Sequence, residues 1–443
     1  MENQESSVGS ELPQRGAIRP SGKSLIMNAI ISSPSSDASL PFGDNIRLFA
    51  NGHRLHPFPA RMAPEIVVKA VSCIPIGSTV LDSMCGSGTV LRESVRHGHH
   101  AIGFDVDPLA VLISRVSTCP LDFNLLTQKA DAVANRAVSL DGDTLDLPWI
   151  DNDDETSKFV EFWFGQEQRS ALRTLAWQVF RVRGPIGDAL RLAISKIIIT
   201  KEPRASLARD TSHSRPHRVG RTSTYDIVQG FRKAVIDITK KLAEDELTGT
   251  AIVRRADARR LPSWLTGQVD LVVASPPYGN AIDYLRGHRL ALVWLGYTIP
   301  RIRTFKAKNI GRQTGPSQRK YSCVPELIHK LGYIRELQPS TQRRLSLFVH
   351  DMYSVLKEID RTLLPHGRAI LVVGNSLIDG QFLDNANMIA TAGELVGLRE
   401  VARYSRNIPG NHRYLPPPKA GCDSSLGKRM KEEIVLTFEK NRL

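Results

Sequence analysis

The chain has 443 residues, 41% of them hydrophobic and 23% charged, with 59 Lys and Arg against 45 Asp and Glu for a formal net charge of +14. These proportions exclude wholesale disorder and allow two or three domains, and the basic balance favours a polyanionic partner, nucleic acid ahead of an anionic membrane surface. No apolar run reaches the roughly 18 residues of a membrane span. The N-terminus is acidic and polar, and the five cysteines contain no Cys-x-x-Cys pair. We therefore expect a cytoplasmic protein without a membrane segment or a disulfide framework.

The hydrophobic pattern divides the chain into a tail, two α/β stretches and an insertion. Residues 1–45 are rich in Ser, Pro and Gly and predict a disordered tail. Residues 46–120 and 249–443 alternate strand and helix patterns, which is typical of a parallel sheet. We predict that these two stretches form one Rossmann-like, doubly wound α/β domain with an antiparallel C-terminal hairpin. Residues 121–248 would form a mostly helical insertion in it.

Individual elements are predicted where apolar runs meet turn signals. Strand patterns lie at 78–82, 100–105, 250–257, 269–275, 367–375, 399–405 and 432–439. Helix patterns follow the glycines of the first turn and begin again at Pro108, and two more lie in the insertion at 166–182 and 187–199. The residues Pro365-His366-Gly367 are predicted to form a turn before their strand.

A glycine-rich turn, Asp82-Ser83-Met84-Cys85-Gly86-Ser87-Gly88-Thr89, follows the first predicted strand. Glycines here let the backbone approach a ligand, and the next helix offers its N-terminus. A dinucleotide fingerprint would carry a third glycine where this chain has Leu91. Asp105, which ends the next strand, is placed to accept hydrogen bonds from two ribose hydroxyls. The pattern favours a nucleoside cofactor without a pyrophosphate, S-adenosylmethionine, over an ordinary turn with a solvated aspartate.

A second turn, Ser275-Pro276-Pro277-Tyr278, follows the strand predicted at 269–275. Ligands of open α/β sheets bind at this carboxyl edge. Two prolines fix the backbone and remove two N–H donors, so that a hydroxyl and carbonyl oxygens can accept hydrogen bonds from an amino group. The ring of Tyr278 could stack on a planar base. Taken alone, the motif is equally compatible with a rigid loop.

The two turns together resemble those of the amino-methyltransferases of nucleic acids, the DNA N6-adenine and N4-cytosine enzymes. Serine at the first position of Ser-Pro-Pro-Tyr is similar to the N4-cytosine group in particular. The segment from His56 to Pro64 resembles the family segment that helps to hold the methionine end of the cofactor, and Asp257-Ala258-Arg259 resembles the acidic turn near its adenine. The resemblance covers most of 50–120 and 249–440. Ser83 and Met84 depart from the family, which has Pro and Phe there.

This resemblance implies a methyl transfer in line from S-adenosylmethionine to an exocyclic amino group on a base flipped out of duplex DNA, with N4 of cytosine favoured over N6 of adenine. It implies a catalytic set of Ser275, Pro276, Pro277 and Tyr278. It also implies cofactor contacts from Arg61, Pro64, Asp82, Met84, Cys85, Gly86, Gly88, Thr89, Asp105 and Asp257. Methylation at cytosine C5 is excluded, because no Pro-Cys dipeptide supplies a nucleophile.

The positive charge is concentrated in two segments. Residues 181–260 hold 18 Lys and Arg against 9 Asp and Glu, and residues 301–344 hold 11 against 2, whereas 121–170 hold 4 against 11. The basic segments indicate phosphate contacts, and a solvated basic face is the alternative for any single residue. We predict nucleic-acid contacts from Arg209, Ser212, His213, Arg215, His217, Lys306, Lys308 and Arg312. Target recognition would lie in the insertion and in a loop at 301–344.

Other functions stay open at this point. An RNA or tRNA base-amino methyltransferase uses similar turns, and a catalytically inactive nucleic-acid-binding protein of the same fold would also fit. A dinucleotide-dependent oxidoreductase is disfavoured by Leu91 and by the double proline. His213 and His217 do not indicate a metal site, because Pro216 interrupts their helical spacing. A partner nuclease is possible for such an enzyme, but nothing in the chain indicates one, and the oligomeric state cannot be predicted.

Overall fold

The computed structural model describes residues 54–58, 61–213, 216–278, 283–311, 338–378, 381–408 and 432–441. The tail predicted at 1–45 lies outside this range, as do Arg215 and Arg312. None of the helices in the described part of the chain has the length and apolar character needed to cross a membrane.

The strands alternate with helices in the predicted order. In chain order the strands are β1 (Thr79–Asp82), β2 (His100–Asp105), β3 (Ala208–Arg209), β4 (His217–Arg218), β5 (Thr250–Arg255), β6 (Val269–Ala274), β7 (Leu363–Val373), β8 (Ser376–Ile378), β9 (Gln381–Leu383), β10 (Leu398–Asn407) and β11 (Glu432–Lys440). The helices are α1 (Pro64–Val71), α2 (Thr89–Arg96), α3 (Pro108–Thr118), α4 (Phe123–Val138), α5 (Pro148–Asp151), α6 (Asp154–Trp163), α7 (Gln166–Val179), α8 (Gly184–Ile198), α9 (Ile227–Ala243), α10 (Leu285–Leu292), α11 (Ile299–Lys306), α12 (Pro339–Thr362) and α13 (Asn385–Leu395).

Seven strands in the described residues form one sheet in the order β10-β11-β7-β6-β1-β2-β5. The five strands from β7 to β5 are parallel, and β11 pairs antiparallel with both β7 and β10. From β5 to β7 this is the doubly wound order 3-2-1-4-5, in which the direction of winding reverses between β1 and β6. The predicted Rossmann-like α/β class with its antiparallel C-terminal hairpin is therefore confirmed.

Apolar side chains cover both faces of the sheet, because neighbouring residues of a strand point in opposite directions. Val80 packs with α1 and α2 on one face. Leu81, the next residue, packs with α12 and α13 on the other. Strands buried on both faces give continuous apolar runs, which explains why β1, β2 and β6 could be predicted almost to the residue.

Helices α4 to α9 lie between β2 and β5 in the chain, within the stretch predicted as an insertion. They share one apolar core with α3, α10 and α11. Hydrogen bonds also join α5 and α6 to the chain around α10 and α11. Trp149 Nε1 donates to the Val293 carbonyl at 2.8 Å, and Thr156 Oγ1 accepts from Ile299 N at 2.8 Å. The helical region therefore packs directly on the helices that follow the Ser-Pro-Pro-Tyr turn.

Two local predictions were wrong. Pro365, His366 and Gly367 do not precede β7 but lie inside it, in a bulge where the register with β6 jumps and His366 adopts a φ of 66°. Turn residues supply the positive φ of a bulge as readily as that of a turn. The segment 301–344 is not a loop throughout, because its first six residues end α11 and its last six lie in α12. Residues 312–337 are outside the described range.

Candidate functional site

The two predicted turns leave adjacent strands at the same edge of the sheet. Leu81 of β1 pairs with Val272 of β6, so the two strands end close to one another. The glycine turn and Ser275, which follow them, therefore lie side by side at this edge. Asp105 ends β2 on the other side of β1, and Asp257 follows β5. Winding reverses between β1 and β6, and ligands of open α/β sheets bind in the crevice at such a point.

The glycine turn is held by backbone bonds and by two left-handed glycines. Cys85 N donates to the Phe104 carbonyl at 2.9 Å, and Gly88 N donates to the Cys85 carbonyl at 2.7 Å. Gly86 and Gly88 have φ values of 49° and 79°. A Cβ on Gly88 would lie 2.7 Å from Ser114 Oγ. The turn thus requires glycine at this position both for its conformation and for the approach of α3, and Thr89 begins α2 directly after it.

Leu91 explains how α2 packs without the third glycine of a dinucleotide fingerprint. It is fully buried. The glycine that makes room for it lies on the neighbouring strand, because a Cβ on Gly103 would come within 2.2 Å of Leu91 Cδ1. In the dinucleotide fingerprint the glycine lies on the helix, whereas here the helix carries the leucine and the strand carries the glycine. The helix can therefore still pack closely on the strand.

Carboxylates gather at the ends of β1 and β2. Asp105 accepts from Gly86 N through Oδ2 and from Asp107 N through Oδ1, both at 2.9 Å. Burial, and next the neighbouring Asp107 carboxylate, raise the pKa of Asp105 to about 6. Burial raises the pKa of Asp82 to about 8, and the Asp105 charge adds to the rise although Met84 N donates to Oδ1. This edge of the sheet is therefore dry, and of the two acids only Asp105 is mostly ionised at neutral pH, where its charge suits a cationic ligand.

The thiol of Cys85 lies in the same turn. It is 5% exposed, and Ser114 Oγ lies 3.5 Å from Sγ. Burial raises the pKa of the Cys85 thiol well above its ordinary value. A thiol held neutral in this way is a poor nucleophile, so it lines the turn and does not offer covalent chemistry.

Polar groups beside the turn fit the cofactor that the sequence predicts. Arg61 donates to the His56 carbonyl at 2.5 Å, burial lowers the pKa of its guanidinium to about 10, and the neighbouring charges that contribute are cationic. Its Nε and the Oγ of Ser83 are buried without a hydrogen-bond partner among the described residues. A buried guanidinium that still has donors to satisfy fits a carboxylate such as that of the methionine moiety. Pro64 begins α1 three residues later.

Three rings form a cluster over the glycine turn, and the sequence did not indicate it. The ring of Phe58 lies against Gly86, where a Cβ would be 3.3 Å from Cε1. Its centroid is 5.7 Å from that of Tyr284 and 5.3 Å from that of His288. His288 Nδ1 lies 2.5 Å from Asp107 Oδ2, and both side chains are buried. No spacing in the sequence relates Phe58 to His288, because 230 residues separate them.

The Ser-Pro-Pro-Tyr turn is rigid and partly buried. Ser275 Oγ donates to the Val372 carbonyl of β7 at 3.1 Å. The Tyr278 side chain packs on the core beneath α12, its hydroxyl interacts with Ser275 and the Gly374 backbone, and burial raises the pKa of the phenol. Pro276 is buried and Pro277 half-buried. Since Ser275 donates its only proton to β7, its oxygen is left as an acceptor.

Asp257 is held in a turn by an ion pair. Its carboxylate accepts from Arg259 Nε at 2.9 Å and from the Arg259 Nη2 at 2.7 Å, and these bonds hold its pKa below the ordinary value although burial opposes them. Arg259 also pairs with Asp351 of α12 at 2.6 Å and donates to the Lys308 carbonyl. The Asp-Ala-Arg segment therefore fixes the loop after β5, with the carboxylate already engaged.

Of the residues predicted to contact nucleic acid, those that the structure describes lie on two elements near the turns. β3 and β4 form a hairpin, and its 3₁₀ turn Thr211–His213 packs against α10, which follows the Ser-Pro-Pro-Tyr segment. Arg209 is exposed and pairs with Glu202 at 2.7 Å, and His217 is exposed beside Asp210. Ser212 is only 6% exposed, which argues against the predicted phosphate contact.

The second element is the end of α11. Lys306 is exposed and pairs with Asp283 at 2.8 Å, five residues beyond Tyr278. Lys308 is exposed two residues later. Two basic segments that are far apart in sequence are thus both adjacent to the chain that leaves the Ser-Pro-Pro-Tyr turn. Among the described residues, no group of three or more His, Cys, Asp or Glu side chains could hold a metal ion.

The chain is similar in sequence to a known methyltransferase. No protein-family model matches the chain. It is similar to the type II methyltransferase M.MvaI of Kocuria varians, with 21% identity over 428 residues that cover 87% of this chain and 90% of that protein.

Solved structures similar to the chain are the rRNA methyltransferase AviRa of Streptomyces viridochromogenes and a TehB-like SAM-dependent methyltransferase of Corynebacterium glutamicum. The first is 12% identical, covers 89% of this chain and 94% of its own, and has a TM-score of 0.30. The second is 10% identical, with coverages of 85% and 87% and a TM-score of 0.28. The fold class rests on the strand order described above.

Proposed function

We propose that this protein transfers a methyl group from S-adenosylmethionine to the exocyclic amino group of a base in DNA, and that the base is cytosine, methylated at N4. The observation that carries the proposal is the placement of Ser275 beside the glycine turn at the point where the sheet reverses its winding. The name of the relative, a type II methyltransferase, supports the same reaction class and a role in restriction-modification. In that role methylation would protect DNA from a partner nuclease.

The residues around the glycine turn would hold the cofactor. Bound S-adenosylmethionine supplies an electrophilic methyl group on a sulfonium centre. Arg61 would bind its carboxylate, and the backbone at Gly86 and Gly88 leaves room for close approach. The oxygens of Asp105 accept backbone N–H groups, from Gly86 on Oδ2 and Asp107 on Oδ1, and the carboxylate would use a remaining lone pair for a ribose hydroxyl. Asp82, whose pKa is raised to about 8 by burial, would stand beside the turn as a neutral carboxylic acid and not as a charge.

The Ser-Pro-Pro-Tyr turn would hold the base. Ser275 Oγ donates its own proton to the Val372 carbonyl, so its oxygen is available as an acceptor. This oxygen and the Pro276 carbonyl would each accept a hydrogen bond from one N–H of the amino group. This leaves the nitrogen lone pair pointed at the methyl group, and the rate gain comes from orientation and electrostatic placement. Tyr278 is fixed through its hydroxyl, so its ring would be a preorganised wall for a flipped base.

DNA would approach over the β3–β4 hairpin and the end of α11. Arg209 and His217 on the hairpin are exposed, as are Lys306 at the end of α11 and Lys308 two residues later, and both elements adjoin the chain that leaves the turn. His213 lies in the 3₁₀ turn of the hairpin. Contacts of this type bind phosphates and fix register, and they make binding fall steeply with salt.

Transfer of a labelled methyl group tests the proposal. The wild type should label duplex DNA, and nucleoside analysis should find N4-methylcytosine. Ser275→Ala should lose at least about a hundredfold in rate, comparable with the loss when one preorganised hydrogen-bonding group is removed from an oxyanion hole, whereas Ser139→Ala, a change at an exposed serine that caps α4, should not. Label in RNA alone would support the RNA alternative, and no transfer to either nucleic acid would overturn the proposal.

A further inference from the structure

The segment Arg54–Phe58 carries the ring that covers the glycine turn, and three of the polar contacts that fix it come from the helical region between β2 and β5. Lys196 of α8 donates to the Leu55 carbonyl at 2.6 Å. Lys241 of α9 donates to the Arg54 carbonyl at 2.8 Å. Two ammonium groups on neighbouring helices therefore hold two successive carbonyls of this short segment.

The two lysines are themselves fixed. Both lie 2.8 Å from the same oxygen of Asp237, on α9. The Lys196 side chain is only 16% exposed, so its bonds to Leu55 and Asp237 are largely shielded from water. Charge-assisted hydrogen bonds in such surroundings are stronger than those at the surface.

A third contact comes from the same helix. His56 is fully buried, and its Nε2 lies 2.9 Å from Ser195 Oγ of α8, which is also fully buried. Burial, and next the charge interaction with His288, lower the pKa of His56 well below its ordinary value. The imidazole is therefore neutral at physiological pH and can share a single hydrogen bond with the serine without a buried charge.

The segment also contacts Arg61 and the glycine turn, which are the parts of the site proposed to bind the cofactor. The His56 carbonyl accepts from both Phe58 N at 2.8 Å and the Arg61 guanidinium at 2.5 Å. The Phe58 ring in turn rests on Gly86. A shift of His56 would therefore move both the ring above the glycine turn and the guanidinium beside it.

We propose that α8 and α9 position the cofactor-binding segment, so that Ser195, Lys196 and Lys241 set the affinity for the cofactor without touching it. These are positioning residues, and the inference gives the helical region a task besides target recognition. It rests on the proposed function, because the ligand of the glycine turn is taken to be S-adenosylmethionine.

The test compares Lys196→Met with two matched variants. Lys196→Arg keeps a cation that can reach the Leu55 carbonyl. Arg232→Met removes a cation of α9 whose partners, Asp131 and Asn135, lie on α4 and not on the segment. Binding of S-adenosylmethionine to the free protein is measured by calorimetry without DNA, and backbone hydrogen–deuterium exchange is followed over residues 54–58.

Lys196→Met should raise the Kd for S-adenosylmethionine about tenfold, the size of one charge-assisted hydrogen bond. It should speed exchange at 54–58 and leave kcat at saturating cofactor unchanged, since the turn that holds the base is intact. Lys196→Arg should recover most of the affinity, and Arg232→Met should bind as the wild type does. A Kd and an exchange rate for Lys196→Met equal to those of the wild type would overturn the inference, as would an equal loss in Arg232→Met. A wild type that binds no S-adenosylmethionine would instead refute the proposed function, and exchange at 54–58 would still decide whether α8 fixes the segment.

Discussion

The contact between Leu91 and Gly103 allows a direct test of how the glycine turn is packed. In Gly103→Ala the new Cβ would lie 2.2 Å from Leu91 Cδ1 and 3.2 Å from its Cγ. Leu91 is fully buried among Val95, Ala101 and Val111, so it has no space into which it can rotate. Overpacking of this kind costs about 1–3 kcal/mol of unfolding free energy. Leu91→Ala should cost about 2–5 kcal/mol, because it empties a buried site.

The two changes should compensate each other. In the double variant the alanine methyl on β2 enters the space that Leu91 leaves. The loss of unfolding free energy in the double variant should therefore be about 1–3 kcal/mol smaller than the sum of the losses in the two single variants. Unfolding free energies from urea titration of all four proteins give this coupling energy. Gly220→Ala is the control, because its Cβ would make only an ordinary contact at 3.5 Å, and it should change stability by less than about 0.5 kcal/mol. Strictly additive costs would refute the account of α2 packing.

Three further predictions concern the site. Asp82 holds its proton in the folded chain up to a pH of about 8, whereas an unfolded aspartate loses it near 3.8, so stability should fall as pH rises from about 4 to 8, by roughly 6 kcal/mol at most. Asp82→Asn should remove this slope in urea titrations at pH 5, 7 and 9, and an unchanged slope would contradict the burial argument. Gly88→Ala should weaken S-adenosylmethionine binding at least about tenfold in calorimetry, because the positive φ and the contact with Ser114 distort the turn, and full affinity would exclude the turn from the cofactor site. Lys306→Glu should weaken DNA binding and lower its salt slope by about one, with cofactor affinity unchanged, and an equal loss of both would argue against a phosphate contact.

Much of the fold could be predicted because the central strands are buried on both faces. Their apolar runs are continuous and end in Asp82, Asp105 and Ser275, each followed by turn chemistry. The start of β7 could not be predicted in the same way. A Pro-His-Gly run is compatible with a turn or with a bulge, and only the pairing of β6 with residues on both sides of His366 decides between them.

The candidate site was predictable where function depends on local sequence. The glycine turn and the Ser-Pro-Pro-Tyr turn are contiguous motifs, and their neighbourhood follows from the order of the strands. The contacts of Phe58 with His288, and of Lys196 with Leu55, join residues that are more than a hundred positions apart. Such pairs depend on how the helices pack, which single-sequence patterns do not specify. The burial of Ser212 was missed for the same reason.

The central claim is methylation of a base amino group in DNA, and the most direct measurement is single-molecule sequencing of DNA from a host that expresses this chain. The account predicts N4-methylcytosine at one defined sequence context with the wild type, and its loss with Ser275→Ala. Unmodified DNA from a host in which the wild-type protein is abundant and binds S-adenosylmethionine would contradict it.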